Sequence, residues 1–431
     1  MSVEVPQMDE LLRLAPVVRY GDAVPPEGAG GGALHLSSVL PALSAAIGHP
    51  VSTSVHDDPR ALQRALGLPD AASAIVVLVD GLGYWNLNMR LGHAPYLRAL
   101  MRDGANQRPI STCAPSTTVA AMAAFGTGAC PGLTGMAGYT QLAPDGERLI
   151  QLIQFKDPLA GDHGLAGAAA HMAPVAPAVP IADPRDLQRE PTVFERLASR
   201  GVRVTSSGMA KFKGSPLTES ALRGGEYVSG VTPLDRVRAA AKAARTPGLT
   251  YLYIRDADKV GHTHGWRSDQ WIGAFEHVDM QLDALQREAP AGTLIVIVAD
   301  HGMVTADPDE RVDIAADGTL TRGVRLVGGE PRSLMLYAQP GESADDIAAR
   351  WRGRLGERAQ VLTRDEAFAL GLFGPVSERV ASMIGDVVVQ ASGLTTLVDS
   401  RTQSDKATRL PSVHGSRTML ETDIPCLIDV A

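Results

Sequence analysis

Ala74-Ile-Val-Val-Leu-Val-Asp80 is an unbroken apolar run that ends on a carboxylate. A strand covered on both faces of a parallel sheet reads this way, without polar alternation. Two later runs have the same form: Leu249-Thr-Tyr-Leu-Tyr-Ile-Arg-Asp256-Ala-Asp258 and Leu294-Ile-Val-Ile-Val-Ala-Asp300. His262 and His264 follow the second run, and His301 follows the third. In an open α/β sheet, ligands sit beyond the carboxyl ends of the strands. Acidic and imidazole side chains gathered on that edge point to a metal site built for chemistry.

Helical patterns separate these strands. Residues 58–67 read as a short helix stopped by Gly67. Pro95 opens another that ends by Gly104. Residues 116–125 are rich in small residues, with Pro115 and Ser116 before them and Gly126-Thr-Gly128 after. Thr192 to Gly201 reads as a helix and Val202 to Thr205 as a strand. Thr232 is placed to cap a helix from Pro233 to Arg245. Trp271, Phe275, Val278, Leu282 and Leu285 recur at helical spacing behind Ser268 as N-cap, a stripe that belongs to the core. Strand and helix alternate through 74–300, which predicts a largely parallel sheet flanked by helices.

The expected organisation follows. Residues 1–35 form a peripheral N-terminal segment, with a flexible connector in Pro25-Pro-Glu-Gly-Ala-Gly-Gly-Gly32. Residues 36–303 form the main catalytic α/β domain, with a long active-site loop near 158–182. Residues 304–410 are mixed and predict a smaller cap or subdomain. Residues 411–431 return to the main domain.

At 431 residues the chain suits one large α/β domain with insertions, or two domains. Its formal net charge of −8 would repel a nucleic-acid polymer. Three cysteines with no CxxC spacing exclude a zinc ribbon and argue against a disulfide framework. No apolar run approaches the roughly 20 residues needed to cross a bilayer. The N-terminus lacks a charged-then-apolar signal pattern. These features predict a cytoplasmic protein without a membrane partner; none specifies an oligomeric state.

Five short segments carry the chemistry. Asp258-Lys-Val-Gly-His262-Thr-His264 places a carboxylate and an imidazole four apart just past a strand, where Gly261 would let a loop fold back on one ion. This donor set suits zinc, manganese or iron better than calcium. His264 is open as a ligand, a supporting group or a substrate contact, and Asp256 as a structural residue. Asp300-His301-Gly302 is an adjacent pair at a strand end. Asp80-Gly81 puts a carboxylate at the end of a buried strand, costly unless paired or metal-bound, although Asp-Gly is also a common turn start. Pro115-Ser-Thr-Thr118 opens a helix, where backbone N–H groups and the dipole favour an anion. Ordinary capping would use the same residues. His414-Gly415 is a lone histidine near the C-terminus. Lys211, Lys213 and Arg332 are weaker candidates for a substrate phosphate, and His277 reads as a helix-surface residue.

In this order, Asp80-Gly, Pro115-Ser-Thr-Thr118, Thr127-Gly128 with Gly135, Asp258-x-x-Gly-His262, Asp300-His301-Gly and His414-Gly resemble the alkaline phosphatase superfamily. Within it they are most similar to the nucleotide pyrophosphatase/phosphodiesterase family. The resemblance spans residues 74–415. It implies an alkaline-phosphatase-like central, mostly parallel sheet with a cap insertion, and a phosphoric ester hydrolase. It implies two divalent ions, Zn2+ first and Mn2+ as the alternative. One would be held by Asp258, His262 and His414, the other by Asp80, Asp300 and His301 with Thr118. Thr118 is preferred to Thr117 because the family's nucleophile lies three residues after the proline. The implied mechanism passes through a phosphothreonine on Thr118 and retains configuration at phosphorus. The implied partner is a small phosphorylated substrate, a nucleotide being one candidate.

One departure stands out. Diesterases of this family place an asparagine after the nucleophile segment, and the corresponding stretch here is Gly135-Met-Ala-Gly-Tyr139. The chain's asparagines are Asn86, Asn88 and Asn106. From the ordered motifs, phosphodiesterase or nucleotide pyrophosphatase activity is the expectation. Phosphomonoesterase or phosphotransferase activity on the same two-metal site is the alternative.

Overall fold

The computed structural model describes residues 4–26, 30–158 and 180–431. The expected loop at 158–182 falls largely on residues 159–179, outside the described residues, as do 27–29 of the expected connector. The core is a six-stranded sheet built from β1 (Ser73–Val79), β2 (Arg203–Gly208), β3 (Glu226–Ser229), β4 (Gly248–Ile254), β5 (Leu294–Val298) and β10 (Cys426–Val430). Its spatial order is β10-β5-β1-β4-β2-β3, parallel except for the edge strand β10, which runs antiparallel to β5. Every residue of β1 is buried, so its two faces are both covered. That is why the run 74–79 carries no polar alternation, and each buried Ile, Leu or Val there contributes roughly 1.5–3 kcal/mol.

Register brings the strand ends together. Val79 lies opposite Ile254 on one side, and Leu78 opposite Val298 on the other. The residues that continue these strands therefore meet at one edge. Asp80 N donates to the Ile254 carbonyl at 2.8 Å, and Asp258 N donates to the Asp80 carbonyl at 3.0 Å.

Helices flank the sheet. α1 (Leu36–Ala46) packs on α2 (Thr118–Thr127). α3 (Pro233–Ala243) is opened by Thr232 in a capping box with Asp235, and α5 (Asp269–Glu288) by Ser268 as N-cap. α5 packs against α3 and against α4 (Asp256–His264), with Trp271, Phe275, Val278, Leu282 and Leu285 all buried. Here the structure departs from the sequence expectation: Asp258 to His264 is helix and not a folded-back loop. Gly261 is there for a close approach. A Cβ on it would stand 2.2 Å from the Met303 sulfur.

A second sheet lies in the chain between β5 and β10. It comprises β6 (Val324–Glu330), β7 (Ser333–Ala338), β8 (Ala359–Thr363) and β9 (Val387–Ala391), all antiparallel in the order β6-β7-β9-β8. Leu334, Leu336, Val361, Val387 and Val389 pack on α6 (Ala344–Leu355) around Trp351. Met335, Tyr337 and Val388 point the other way, as period-two alternation requires, and join Ala114, Ala137 and Leu142. The inserted sheet thus rests on the segment that carries the N-terminus of α2. No helix among the described residues is long and apolar enough to cross a membrane.

Candidate active site

The structure brings all seven sequence-predicted site residues to the carboxyl edge of the central sheet. Two groups form there, Asp258 with His262 and His414, and Asp80 with Asp300 and His301. Within each group the potential ligand atoms lie within 4.8 Å of one another. Asp258 and His262 are i and i+4 on α4, on one helix face. Asp258 Oδ1 lies 3.2 Å from His262 Nε2 and 3.8 Å from His414 Nε2. In the other group His301 Nε2 lies 3.6 Å from Asp80 Oδ1 and 3.5 Å from Asp300 Oδ2. The rings of His301 and His414, one from each group, stack with centroids 3.6 Å apart.

The atoms that converge have nothing else to bind. Asp80 Oδ1, Asp258 Oδ1 and Asp300 Oδ2 are buried and, among the described residues, have no hydrogen-bond partner. The sister oxygens of Asp80 and Asp300 are occupied. Asp80 Oδ2 accepts from the Tyr253 hydroxyl, and Asp300 Oδ1 accepts from the backbone N–H of Gly81 and His301 at 3.0 Å each. The imidazoles are oriented from behind. His262 Nδ1 donates to the Ser412 carbonyl at 2.8 Å, His414 Nδ1 to the Ser116 carbonyl at 2.9 Å, and His301 Nδ1 to the Gly302 carbonyl at 3.1 Å. A carbonyl only accepts, so each neutral ring carries its proton on Nδ1 and turns the Nε2 lone pair into the site. Lone pairs of nitrogen and oxygen then face one another across 3.2–3.8 Å, an arrangement relieved by a cation between them or, as the Asp258 charge favours at His262, by a second ring proton. Two carboxylate-imidazole sets of this kind fit divalent metal ions.

The protonation tendencies follow from the same crowding. Burial, then the charges of Asp300 and Asp258, push the Asp80 carboxyl well above its ordinary range. Burial and the neighbouring rings of His301 and His262 push His414 well down, towards the neutral form that ligates. Burial would raise Asp258, but His262, His414 and His301 outweigh it and hold this carboxyl down.

Thr118 is the first residue of α2, with Thr117 as N-cap. Its Oγ1 lies 3.2 Å from His301 Nε2, beside the Asp80 group and at the positive end of a ten-residue helix. The segment before it is tied down. Ser116 N donates to the Gly415 carbonyl at 3.0 Å, and Gly415 N to Ser116 Oγ at 3.2 Å. The two loops bearing Thr118 and His414 are therefore hydrogen-bonded to each other.

A cavity of about 850 Å3 opens over this edge, with Asp80, Thr118, Asp258, His262 and His414 on its floor. Its walls carry Lys211, Arg255, Lys259, Lys406 and Arg409, together with Phe212, Tyr227 and Tyr253. The expectation for three cations is corrected in part. Lys211 lines the cavity, while Lys213 is not among its lining residues. Arg332 is fully buried, its Nε and Nη2 donating to the two carboxylate oxygens of Glu421 at 2.8 and 2.9 Å. Glu421 in turn accepts from Ser416 N at 2.9 Å, so this ion pair braces the His414 loop and does not meet a substrate. His264 is exposed at the end of α4 and off the cavity, and His277 is exposed on α5. None of the three asparagines lines the cavity. Asn86 bonds the backbone of Met303, Asn88 that of Tyr84, and Asn106 those of Leu100 and Ile428.

Sequence reasoning missed the basic wall, because Arg255, Lys259, Lys406 and Arg409 are scattered and individually ordinary. It also missed Tyr253, although a tyrosine at the end of a strand that leads to a metal-type aspartate is a usable signal. Glu330, at the end of β6, was missed entirely, and it lines the cavity as well.

The family model for type I phosphodiesterase / nucleotide pyrophosphatase matches residues 74–417. No curated protein matches the chain. Among solved structures, a murine ectonucleotide pyrophosphatase / phosphodiesterase 5 is 14% identical with a TM-score of 0.62, over 83% of this chain and 87% of that one. An inactive form of that protein has been solved in complex with AMP. A phosphonoacetate hydrolase from Sinorhizobium meliloti 1021, in complex with phosphonoformate, is 20% identical with a TM-score of 0.61, over 84% of this chain and 90% of that one. At these identities the likeness is one of fold.

Proposed function

The chain belongs to the type I phosphodiesterase / nucleotide pyrophosphatase family, and from that premise we propose that it is a metal-dependent hydrolase of small phosphate esters, acting through a phosphothreonine on Thr118. The observation that carries this reading is the position of Thr118 Oγ1, 3.2 Å from His301 Nε2, beside two sets of converging and otherwise unpartnered ligand atoms. Asp258, His262 and His414 would hold one divalent ion, and Asp80, Asp300 and His301 the other, with Zn2+ preferred and Mn2+ the alternative. When bound, such ions supply Lewis-acid charge at the attacking and leaving oxygens of an in-line displacement.

The chain's own residues do the rest. Thr118 Oγ1 attacks phosphorus and releases its proton to solvent; the bond from phosphorus to the ester oxygen breaks, and that oxygen departs with the electron pair and is protonated from solvent. Water then attacks phosphorus of the phosphothreonine; the bond from phosphorus to Oγ1 breaks, the water oxygen leaves with the phosphate product, and a water proton restores the Thr118 hydroxyl. The N-terminus of α2 favours the phosphoryl anion through its free N–H groups and dipole. Tyr253 fixes Asp80, and the carbonyls of Ser412, Ser116 and Gly302 fix the three imidazoles. The basic wall raises the local concentration of anionic substrates despite the net negative charge. A cavity of about 850 Å3 with aromatic walls has room for a nucleotide-sized leaving group.

The absence of any cavity-lining asparagine supports a second reading, in which the same site works on monoesters or transfers the phosphoryl group. Turnover of bis-p-nitrophenyl phosphate, p-nitrophenyl phosphate and phosphonoacetate by the metal-loaded protein separates the readings. Faster diester turnover is expected. Turnover of the monoester alone would assign the second reading, and turnover of no phosphate ester would end both.

A further inference from the structure

The six proposed metal ligands are not equally well supported. Asp80, Asp300 and His301 follow the buried strands β1 and β5, and Asp258 and His262 ride on one helix, α4. His414 has no such frame. It follows a strand of two residues, Ser412–Val413, and precedes a helix of four, Met419–Thr422. Its position depends on what holds residues 414–418.

Three bodies hold them. From the nucleophile segment, the Ser116 carbonyl accepts from His414 Nδ1 at 2.9 Å, and Ser116 N donates to the Gly415 carbonyl at 3.0 Å. From the inserted sheet, the Ala391 carbonyl at the end of β9 accepts from Ser416 Oγ at 2.6 Å. The third body is the N-terminal segment. Ala15 N donates to the Arg417 carbonyl at 2.8 Å, and Leu14 pairs with Thr418 in an antiparallel bridge. That segment is itself anchored to both sheets. Leu11 and Leu12 are buried in the main core, and Val17 packs on the cluster of Met335, Tyr337 and Val388. Residues 11–17 thus form a strap against the His414 loop.

Arg417 joins these bodies. Its Nη1 donates to the Ala15 carbonyl, 402 residues away in sequence, and its Nη2 to Gln360 Oε1 on β8. It is only 7% exposed. Among the described residues its Nε has no partner and no carboxylate pairs with it. A buried cation held by neutral acceptors adds little stability, because no opposite charge offsets its desolvation. Its use is geometric. The planar fork reaches two bodies at once and fixes residues 414–418 between them.

We propose that Arg417 is a positioning residue for the ion assigned to Asp258, His262 and His414, and that the N-terminal strap takes part in metal binding through it. The role rests on the two-ion reading above. Its effect is unequal between the ions, because the Asp80 group draws no ligand from residues 414–418.

The test measures the affinity of each Zn2+ ion by competition with a chromophoric chelator, with Tm alongside. Arg417→Met removes the fork and keeps a long side chain. It is expected to weaken one ion by about 10- to 100-fold, as loss of an outer partner of a metal ligand does. The other ion should stay within about threefold, and Tm within about 4 °C, because a lost buried cation costs little. In Asp258→Asn, which keeps only the Asp80 group intact, adding Arg417→Met should change the remaining ion by less than about threefold. Coupling is reciprocal, so in wild type loading the ions should slow amide exchange at residues 12–17 more than in α5. Equal weakening of both ions, or of neither, overturns the role. So does a loss of the ion that remains in Asp258→Asn. If Arg417→Met does not fold, the wild-type exchange decides: metal-dependent slowing at 12–17 upholds the role, and indifference to metal overturns it. A wild type that binds no divalent ion ends the two-ion reading itself, a result distinct from these.

Discussion

The two sheets of this protein handle buried carboxyls in different ways. At the edge of the central sheet, Asp80, Asp258 and Asp300 each face an imidazole nitrogen across 3.2–3.8 Å, and each keeps one oxygen unpartnered. On the inserted sheet, Glu330 also keeps one oxygen unpartnered among the described residues, and its other oxygen accepts the Tyr139 N–H. The first arrangement gathers donor atoms that fit the metal ions proposed above. In the second, burial favours the neutral acid. The first edge is the one proposed to hold metal; the second buries an acid beside it.

Thr118→Ala probes the chemical half of that contrast and should have the largest effect. It should cost roughly 10^3-fold or more in kcat, as loss of a covalent nucleophile does, with the fold intact by Tm. Retained turnover would leave the metal edge without its proposed use. Next come Asp258→Asn and Asp300→Asn, which should each lower bound metal by one ion in elemental analysis and reduce kcat by about 10^2- to 10^3-fold. Equal loss of both ions from either variant would mean that the two groups form one site.

Glu330→Gln sharpens the proton-holding half through stability. In the fold this carboxyl is raised from 4.5 to about 8. Its contribution is therefore fully present below pH 4.5 and is lost as pH rises towards about 8. The glutamine variant lacks that loss. Chemical denaturation should show it gaining on wild type by a few kcal/mol between pH 5 and 8. A constant difference across that range would mean that Glu330 is charged in the folded protein. His264→Ala should have the smallest effect, below about twofold in kcat and within ±0.5 kcal/mol in stability, as for an exposed side chain off the cavity. A loss of bound metal in that variant would extend the first group beyond Asp258, His262 and His414.

The same contrast explains what the sequence makes legible. Buried parallel strands are written as unbroken apolar runs, and a carboxylate at their ends is conspicuous because it is costly there. Asp80, Asp258 and Asp300 are visible for that reason, as are His262 and His301 close behind them. His414 is visible only through resemblance to a family, since nothing local joins it to Asp258. Gly261 misleads in the other direction. A glycine between Asp258 and His262 suggests a loop, whereas the helix tolerates it because Met303 packs where a Cβ would be. Arg332 reads as a candidate phosphate ligand and proves to be a buried brace, because its partner Glu421 lies 89 residues away. Glu330 stands in Gly328-Gly329-Glu330-Pro331, which has the look of an exposed turn. Its burial comes from tertiary contact with Tyr139 and Gly415, which no local pattern records.

Thr118 is the group proposed to accept the phosphoryl. The most direct test is to quench the metal-loaded wild type during turnover at acid pH and map phosphorylation by mass spectrometry of its peptides. The expected result is a phosphoryl group on Thr118 that disappears when substrate is exhausted. Brisk turnover with Thr118 unmodified at every quench time, or a phosphoryl group trapped on another residue, would contradict it.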